Sequence, residues 1–311
     1  MTTATFRFQA SDGKEIFTNK WLPENLADIK AIVQISHGMA EHSARYKRFA
    51  EALNAVNIGV YANDHRGHGQ TAGNIENLGY FADFDGWNRV VEDMKNLTAI
   101  IKKNHPGVSV FLFGHSMGSL LSREYIFSSS EEINGVILSG TAGNPGLLGN
   151  VGILVSKIES LLHGKKTKSP LLDKLSFGKF NVAFKPNRTT FDWLSRDNAE
   201  VDKYIADPYC GTVFTSGFFN DMLKGIKNIN RFSNIEKIST SLPIHLIAGA
   251  KDPVGDNTKG VVEVLNTFKK AGIEDVSYKF YEDCRHEILN EINRKEVFAD
   301  LIDWIENHIS E

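Results

Sequence analysis

The 311-residue chain is 41% hydrophobic and 23% charged, an ordinary globular mix that excludes a disordered chain, a collagen and a coiled coil. Its 35 Lys and Arg against 38 Asp and Glu give a net charge of −3, which excludes the strongly basic balance of a dedicated nucleic-acid binder. Two cysteines, Cys210 and Cys284, are too few and too far apart for a disulfide framework or a zinc motif, and both read as reduced thiols. The start shows no basic-then-apolar leader, and no run nears about 18 consecutive apolar residues, so a cytoplasmic chain without a membrane span is expected.

Phe6 to Phe8 and Ile16 to Trp21 read as strands around the turn Ser11-Asp12-Gly13. A buried-type strand follows at Ala31 to Ser36, then a helix from Tyr46 to Val56 with Phe49, Leu53 and Val56 on one face. Ile58 to Ala62 is a strand. Trp87 to Ile101 is a helix with Val90, Val91, Met94, Leu97 and Ile101 at helical spacing. Strand Val108 to Phe113, helix Ser119 to Phe127 and strand Val136 to Ser139 continue the rhythm, which predicts a mostly parallel sheet covered on both faces. The rhythm stops near Gly143 and resumes after about Asn234, with strand Pro243 to Ala248, helix Thr258 to Ala271, strand Val276 to Tyr281 and helix Arg294 to Ile309. The expected organisation is therefore a core domain of residues 1–142 and 235–311, with residues 143–234 inserted as a cap where ligands usually bind.

Gly114-His115-Ser116-Met117-Gly118 fits G-x-S-x-G between a strand and a helix. Such a turn lifts the serine hydroxyl above the sheet, and small neighbours two residues away let the backbone pass. A serine needs a base and an orienting acid to become a nucleophile. Asp252 follows the strand Ile244 to Gly249, and His286 follows the strand Val276 to Tyr281. The order Ser, Asp, His, each beyond the carboxyl end of a strand, points to a catalytic triad. An oxyanion hole needs two amides. Met117 follows the nucleophile, and Met39 lies in the loop His37 to His42 after the third strand, so their main-chain N–H groups are assigned to it. Chemistry of this kind needs no metal or organic cofactor. His65 and His68 have no supporting carboxylate or cysteine cluster and are expected to brace their loop rather than hold a metal.

With these residues in view, the chain resembles the α/β-hydrolases of the monoacylglycerol lipase and lysophospholipase group, sometimes filed with the serine aminopeptidases. The resemblance is carried by His37 to Tyr46, by Asp64-His65-Arg66-Gly67-His68-Gly69-Gln70-Thr71, by Gly114 to Gly118 and by Arg285 to Glu291. Within the insertion it is carried by Leu194 to Asp197 and Val201 to Pro208. It implies the same triad, the same oxyanion pair and a helical cap. Ala40 departs from the pattern, since the mammalian lipases have glycine there, and Leu147 to Leu162 does not align. The resemblance also suggests Glu41 and Arg45 for the alcohol side of the pocket, where a structural ion pair is an equal reading.

The expected activity is hydrolysis of a lipid ester, a monoacylglycerol or lysophospholipid, through an acyl-serine. A peptidase or amidase on the same fold and a catalytically idle binding protein are the rival readings. Cys284, two residues before His286, is not needed as a nucleophile, and Arg285 reads as a charge either on the surface or just behind the site. Residues 157–188 hold eight basic side chains against Glu159 and Asp173. Val151, Leu154, Val155, Ile158, Leu161 and Leu162 share one helical face just before them. This pairing suits peripheral docking on an anionic lipid surface. It also suits a helix packed on the core beside a solvated basic loop.

Overall fold

The apolar strands of the βα rhythm each split their side chains between two cores. In the strand Ala31–Ser36, Ile32 faces one cluster while Ala31, Val33 and Ile35 face the other. Val110 and Leu112 separate in the same way from Phe111 and Phe113. That alternation is the period-2 geometry of a sheet covered on both sides.

The chain is described by a computed structural model over residues 1–309. Among the described residues the strands are β1 (Thr2–Gln9), β2 (Glu15–Leu22), β3 (Ala31–Ser36), β4 (Ile58–Asn63), β5 (Ser109–His115), β6 (Gly135–Ser139), β7 (Ile244–Gly249) and β8 (Val276–Tyr281). They form one sheet in the order β1-β2-β4-β3-β5-β6-β7-β8. β1 and β2 pair antiparallel, as do β2 and β4, and all later pairs are parallel. Helices Gly86–Asn104, Met117–Ser129 and Lys259–Lys270 bury their apolar stripes on one face. Helices Lys47–Asn54 and Arg294–Glu306 cover the other. This is the α/β-hydrolase fold expected from the sequence. The helix predicted from Tyr46 starts one residue later because a 3-10 turn, Ser43–Tyr46, precedes it.

Between β6 and β7 the described chain is helical, with helices Gly146–His163, Pro170–Phe177, Asn198–Ala206 and Ser216–Ile229 as its main elements. The helix Ser216–Ile229 is not a loose appendage. Phe218, Phe219, Met222 and Ile229 join the core cluster that holds Trp87 and Leu120, and Gly225 lies against the Trp87 ring. The helix Gly146–His163 packs on it through its small side. A Cβ at Gly152 would meet Leu223, and Ser156 accepts a 2.9 Å hydrogen bond from Asn220. Its leucines point outward, with Leu147, Leu148, Leu161 and Leu162 between 71% and 85% exposed.

Candidate active site

Ser116 sits between β5 and the helix Met117–Ser129 with φ 52° and ψ −121°. A non-glycine residue reaches this region only when its surroundings hold it there. The main chain does so: the Ser116 amide donates to the Ser139 carbonyl at 2.8 Å, and the Ser116 carbonyl accepts from the Ser119 amide at 2.9 Å. Gly118 is required by crowding, because a Cβ there would collide with the Ser36 carbonyl. The turn thus lifts Ser116, partly exposed, into a cavity of about 690 Å³.

Asp252, three residues beyond β7, is fully buried. Its Oδ1 accepts from the Val254 amide at 2.9 Å, which leaves Oδ2 to meet His286 Nδ1 at 2.9 Å. His286, five residues beyond β8, is packed between the rings of His115, at 4.7 Å, and Trp193, at 5.2 Å. Burial by itself would lower its pKa, but the Asp252 carboxylate outweighs that and leaves the imidazole raised above its ordinary value. With Nδ1 engaged, Nε2 is the ring nitrogen free for proton transfer. Ser116 and His286 both line the cavity.

The loop of residues 37–42 lies beside Ser116. His37 Nε2 accepts the His65 amide at 2.9 Å, so its proton is on Nδ1, which donates to the Gly38 carbonyl at 2.7 Å. Burial lowers the His37 pKa to about 3, so the ring is neutral. In a trans peptide the N–H points opposite to the carbonyl, so the Met39 N–H faces away from His37. Among the described residues neither the Met39 nor the Met117 amide donates to a protein acceptor, and both residues line the cavity. Sequence reasoning missed His37, whose role depends on a contact with His65 rather than on a motif. His65 and His68 do brace the loop: His65 Nε2 lies 3.0 Å from Ser36 Oγ, and His68 Nδ1 lies 2.9 Å from the Arg66 carbonyl.

Glu41 and Arg45 form an ion pair at 2.7 Å, but the pair has a third member. Arg45 is bidentate to Glu287, with both bonds at 2.7 Å, and so joins the residue next to His286 to the loop of residues 37–42. Glu41 also accepts from the Gly38 amide at 2.6 Å and the Tyr46 hydroxyl at 2.9 Å. Burial would raise the Glu41 pKa, and Arg45 with these donors holds it below the ordinary value instead. Glu41 and Glu287 line the main cavity, while Arg45 stands behind them. Of its two expected places, Arg285 takes the one just behind the site. Its guanidinium donates to the Asp192 and Ser195 carbonyls at 2.5 and 3.2 Å and lies over Phe184. Burial pushes the Cys284 thiol up to about 11, so it stays protonated.

Metal-type donors gather at one place among the described residues: His42, Asp207 and Cys210 lie within 4.8 Å of one another. His42 Nε2 and Asp207 Oδ2 already satisfy each other at 2.9 Å, and the trio lies outside the Ser116 cavity.

Residues 27–293 match the family described as serine aminopeptidase, S33. The chain is 28% identical to the monoacylglycerol lipase of Mycolicibacterium smegmatis, over 99% of both chains. It is also 28% identical to human monoglyceride lipase, over 95% of this chain and 88% of that one. A thermostable carboxyl esterase from Bacillus coagulans, solved with glycerol, superposes with a TM-score of 0.91 at 30% identity over 100% of both chains. Ser116, Asp252 and His286 all lie inside the matched span, and the chain belongs to the serine aminopeptidase S33 family of α/β-hydrolases.

Proposed function

We propose that this chain hydrolyses the carboxylic ester of monoacylglycerols through an acyl-serine intermediate. Ser116 Oγ attacks the ester carbon while His286 Nε2 takes its proton, and Asp252 holds the tautomer and stabilises the imidazolium. The amides of Met39 and Met117 receive the oxyanion. The imidazolium then protonates the departing glycerol oxygen, and water, activated by the same imidazole, releases the fatty acid. The observation that carries the choice of substrate is the charge of the cavity. Its charged lining residues other than histidine are Glu41, Asp173 and Glu287, and no lysine or arginine lines it among the described residues. A glycerol ester brings no charge to this wall, whereas a phosphate head group would meet carboxylates with no cation to receive it. Arg45 engages Glu41 and Glu287, which leaves Asp173 alone on this wall to receive a peptide amino terminus. The relatives named for monoacylglycerols and the esterase solved with glycerol support the same reading.

The segment 143–234 acts as a cap, and its outward leucines on the helix Gly146–His163 are proposed to rest on a lipid surface. No helix among the described residues is long and apolar enough to cross a membrane. The neighbouring lysines are partly engaged elsewhere: Lys166 pairs with Asp83 at 3.3 Å, and Lys168 donates to Thr212 at 2.9 Å. The apolar face therefore carries this contact more than the basic run does.

The test is a rate profile over monooleoylglycerol, lysophosphatidate, lysophosphatidylcholine and an aminoacyl anilide, together with fluorophosphonate labelling. Monooleoylglycerol should be the fastest substrate and Ser116 the single labelled residue. Faster hydrolysis of lysophosphatidate or of the anilide, or label on another serine, would overturn the proposal.

A further inference from the structure

The loop that offers the Met39 amide turns at Ala40, whose φ of 57° is left-handed. An alanine side chain disfavours this conformation, so something outside the residue must hold it. What holds it comes from the cap. The Ala40 carbonyl accepts from the Tyr204 hydroxyl at 2.9 Å and from the Gly211 amide at 3.0 Å. Gly211 also donates to the Tyr204 oxygen at 3.1 Å, which closes a three-membered cluster on one carbonyl. Between these two residues Asp207 binds His42, two positions beyond Ala40, at 2.9 Å.

The clasp is built rather than incidental. Tyr204 is buried, its ring lies between the Arg45 guanidinium, at 4.9 Å, and Phe191, at 5.1 Å, and Arg45 is itself fixed by Glu41 and Glu287. Gly211 has φ 66°, and a Cβ there would press on the Phe191 ring at 3.1 Å. His37 fixes the peptide before Met39, while the stretch from Tyr204 to Gly211 fixes the peptide after Ala40.

We infer that Tyr204 is a positioning residue for the oxyanion hole: its hydroxyl pins the left-handed turn at Ala40, so the cap completes the catalytic geometry of the core. This rests on the reading of Met39 as an oxyanion donor. It adds that the donor is in register only while the Tyr204–Gly211 stretch is docked. When the Tyr204 hydroxyl is removed, Ala40 is freer to relax toward negative φ, and the Met39 N–H moves off the developing oxyanion. Because the ground-state ester needs the hole less than the tetrahedral state does, the loss belongs to kcat rather than KM.

The experiment measures kcat and KM on a soluble short-chain ester, and affinity for an alkyl boronic acid whose tetrahedral adduct occupies the hole. The proteins are the unsubstituted chain, Tyr204→Phe, Ala40→Gly, the double variant and Ser116→Ala. Tyr204→Phe should lower kcat about tenfold, the size of one modest hydrogen bond and below the 10²–10³ of a lost donor, with KM within about twofold. Boronate affinity should fall in parallel. Glycine accepts φ 57° without strain, so Ala40→Gly should restore at least about threefold of kcat in the Tyr204→Phe background. General destabilisation by the tyrosine change would show no such rescue. A Tyr204→Phe enzyme with unchanged kcat, a loss confined to KM, or a double variant no faster than Tyr204→Phe would overturn the inference. An active Ser116→Ala enzyme would instead overturn the serine-hydrolase reading beneath it.

Discussion

Arg45→Met tests the buried charge network that ties the two active-site loops together. The side chains of Glu41, Glu287 and Arg45 are 4%, 7% and 12% exposed, so solvent does little to screen them. Removing the guanidinium leaves two buried carboxylates against each other, and breaking a pair of this kind costs about 3–5 kcal/mol. At about 2.1 cal/mol/K of unfolding entropy per residue, the 311-residue chain loses about 1.5 °C per kcal/mol, so Tm should fall about 5–8 °C near neutral pH. The loss should depend on pH with a definite sign. In the native protein Glu41 is held below its ordinary pKa, so its share of stability is present near neutrality and is lost in acid. In the variant burial acts without Arg45, and the folded pKa rises above the unfolded value of about 4.3. The folded state then retains protons that the unfolded state releases, so the deficit grows as pH climbs from that unfolded value to the raised folded one. Thermal unfolding followed by circular dichroism at pH 5 and pH 7.5 should show less than half the neutral-pH deficit at pH 5. The triple variant Glu41→Gln, Arg45→Met, Glu287→Gln should recover most of it, since no charge is left buried. A deficit that is equal at both pH values, or below about 1 kcal/mol, would refute the reasoning.

Two further outcomes are expected. Because Asp252 raises His286, the acid limb of kcat/KM should lie above the ordinary imidazole value of about 6.5. Asp252→Asn should move it downward and cost far more rate than Asp283→Asn, whereas a larger loss from Asp283→Asn would reassign the acid. Leu161→Ser with Leu162→Ser should slow hydrolysis of vesicle-bound monooleoylglycerol severalfold and leave the rate on a soluble ester unchanged. Equal loss on both substrates would mean that these leucines hold the cap together instead of meeting lipid.

The strands and most core helices were legible because their apolar periods survive folding: the pattern at Trp87 to Ile101 became the helix Gly86–Asn104, one face of which is core. The placement of Ser116, Asp252 and His286 was legible because each sits just past a strand, and strand ends are local facts. Glu287 was not, although it adjoins His286. Its partner Arg45 is 242 residues away, and nothing in either segment marks the pair. Arg285 was left between two readings for a related reason, since its acceptors are main-chain carbonyls of Asp192 and Ser195, which carry no sequence signature. The lysines 165, 166 and 168 looked like a free basic run. Asp83, Phe84 and Thr212, which they meet, lie 44 to 83 positions away. The face Val151 to Leu162 was recognised, but periodicity identifies an apolar stripe without saying which way it turns. The glycines and serines opposite it decided that.

The helical segment between β6 and β7 divides into two parts with opposite mechanical demands. Its stretch from Asp192 to Gly211 grips the loops of His286 and Met39: Trp193 and Leu194 accept from the His286 and Glu287 amides at 3.4 and 2.7 Å, and Tyr204 and Gly211 hold Ala40. On the proposed mechanism, displacing that stretch would disturb the base and the oxyanion loop together, which argues against it as the door for substrate. The helices Gly146–His163 and Pro170–Phe177 have no comparable bonds to the catalytic loops among the described residues. Their segment supplies cavity wall through Asp173, Phe177 and Phe180, and turns leucines outward. Opening there exposes apolar surface, which is costly in water and nearly free against lipid. A lipid surface would therefore lower the cost of opening this side of the cavity while leaving the catalytic geometry docked. An acyl chain entering by that route would travel from lipid to Ser116 with little passage through water.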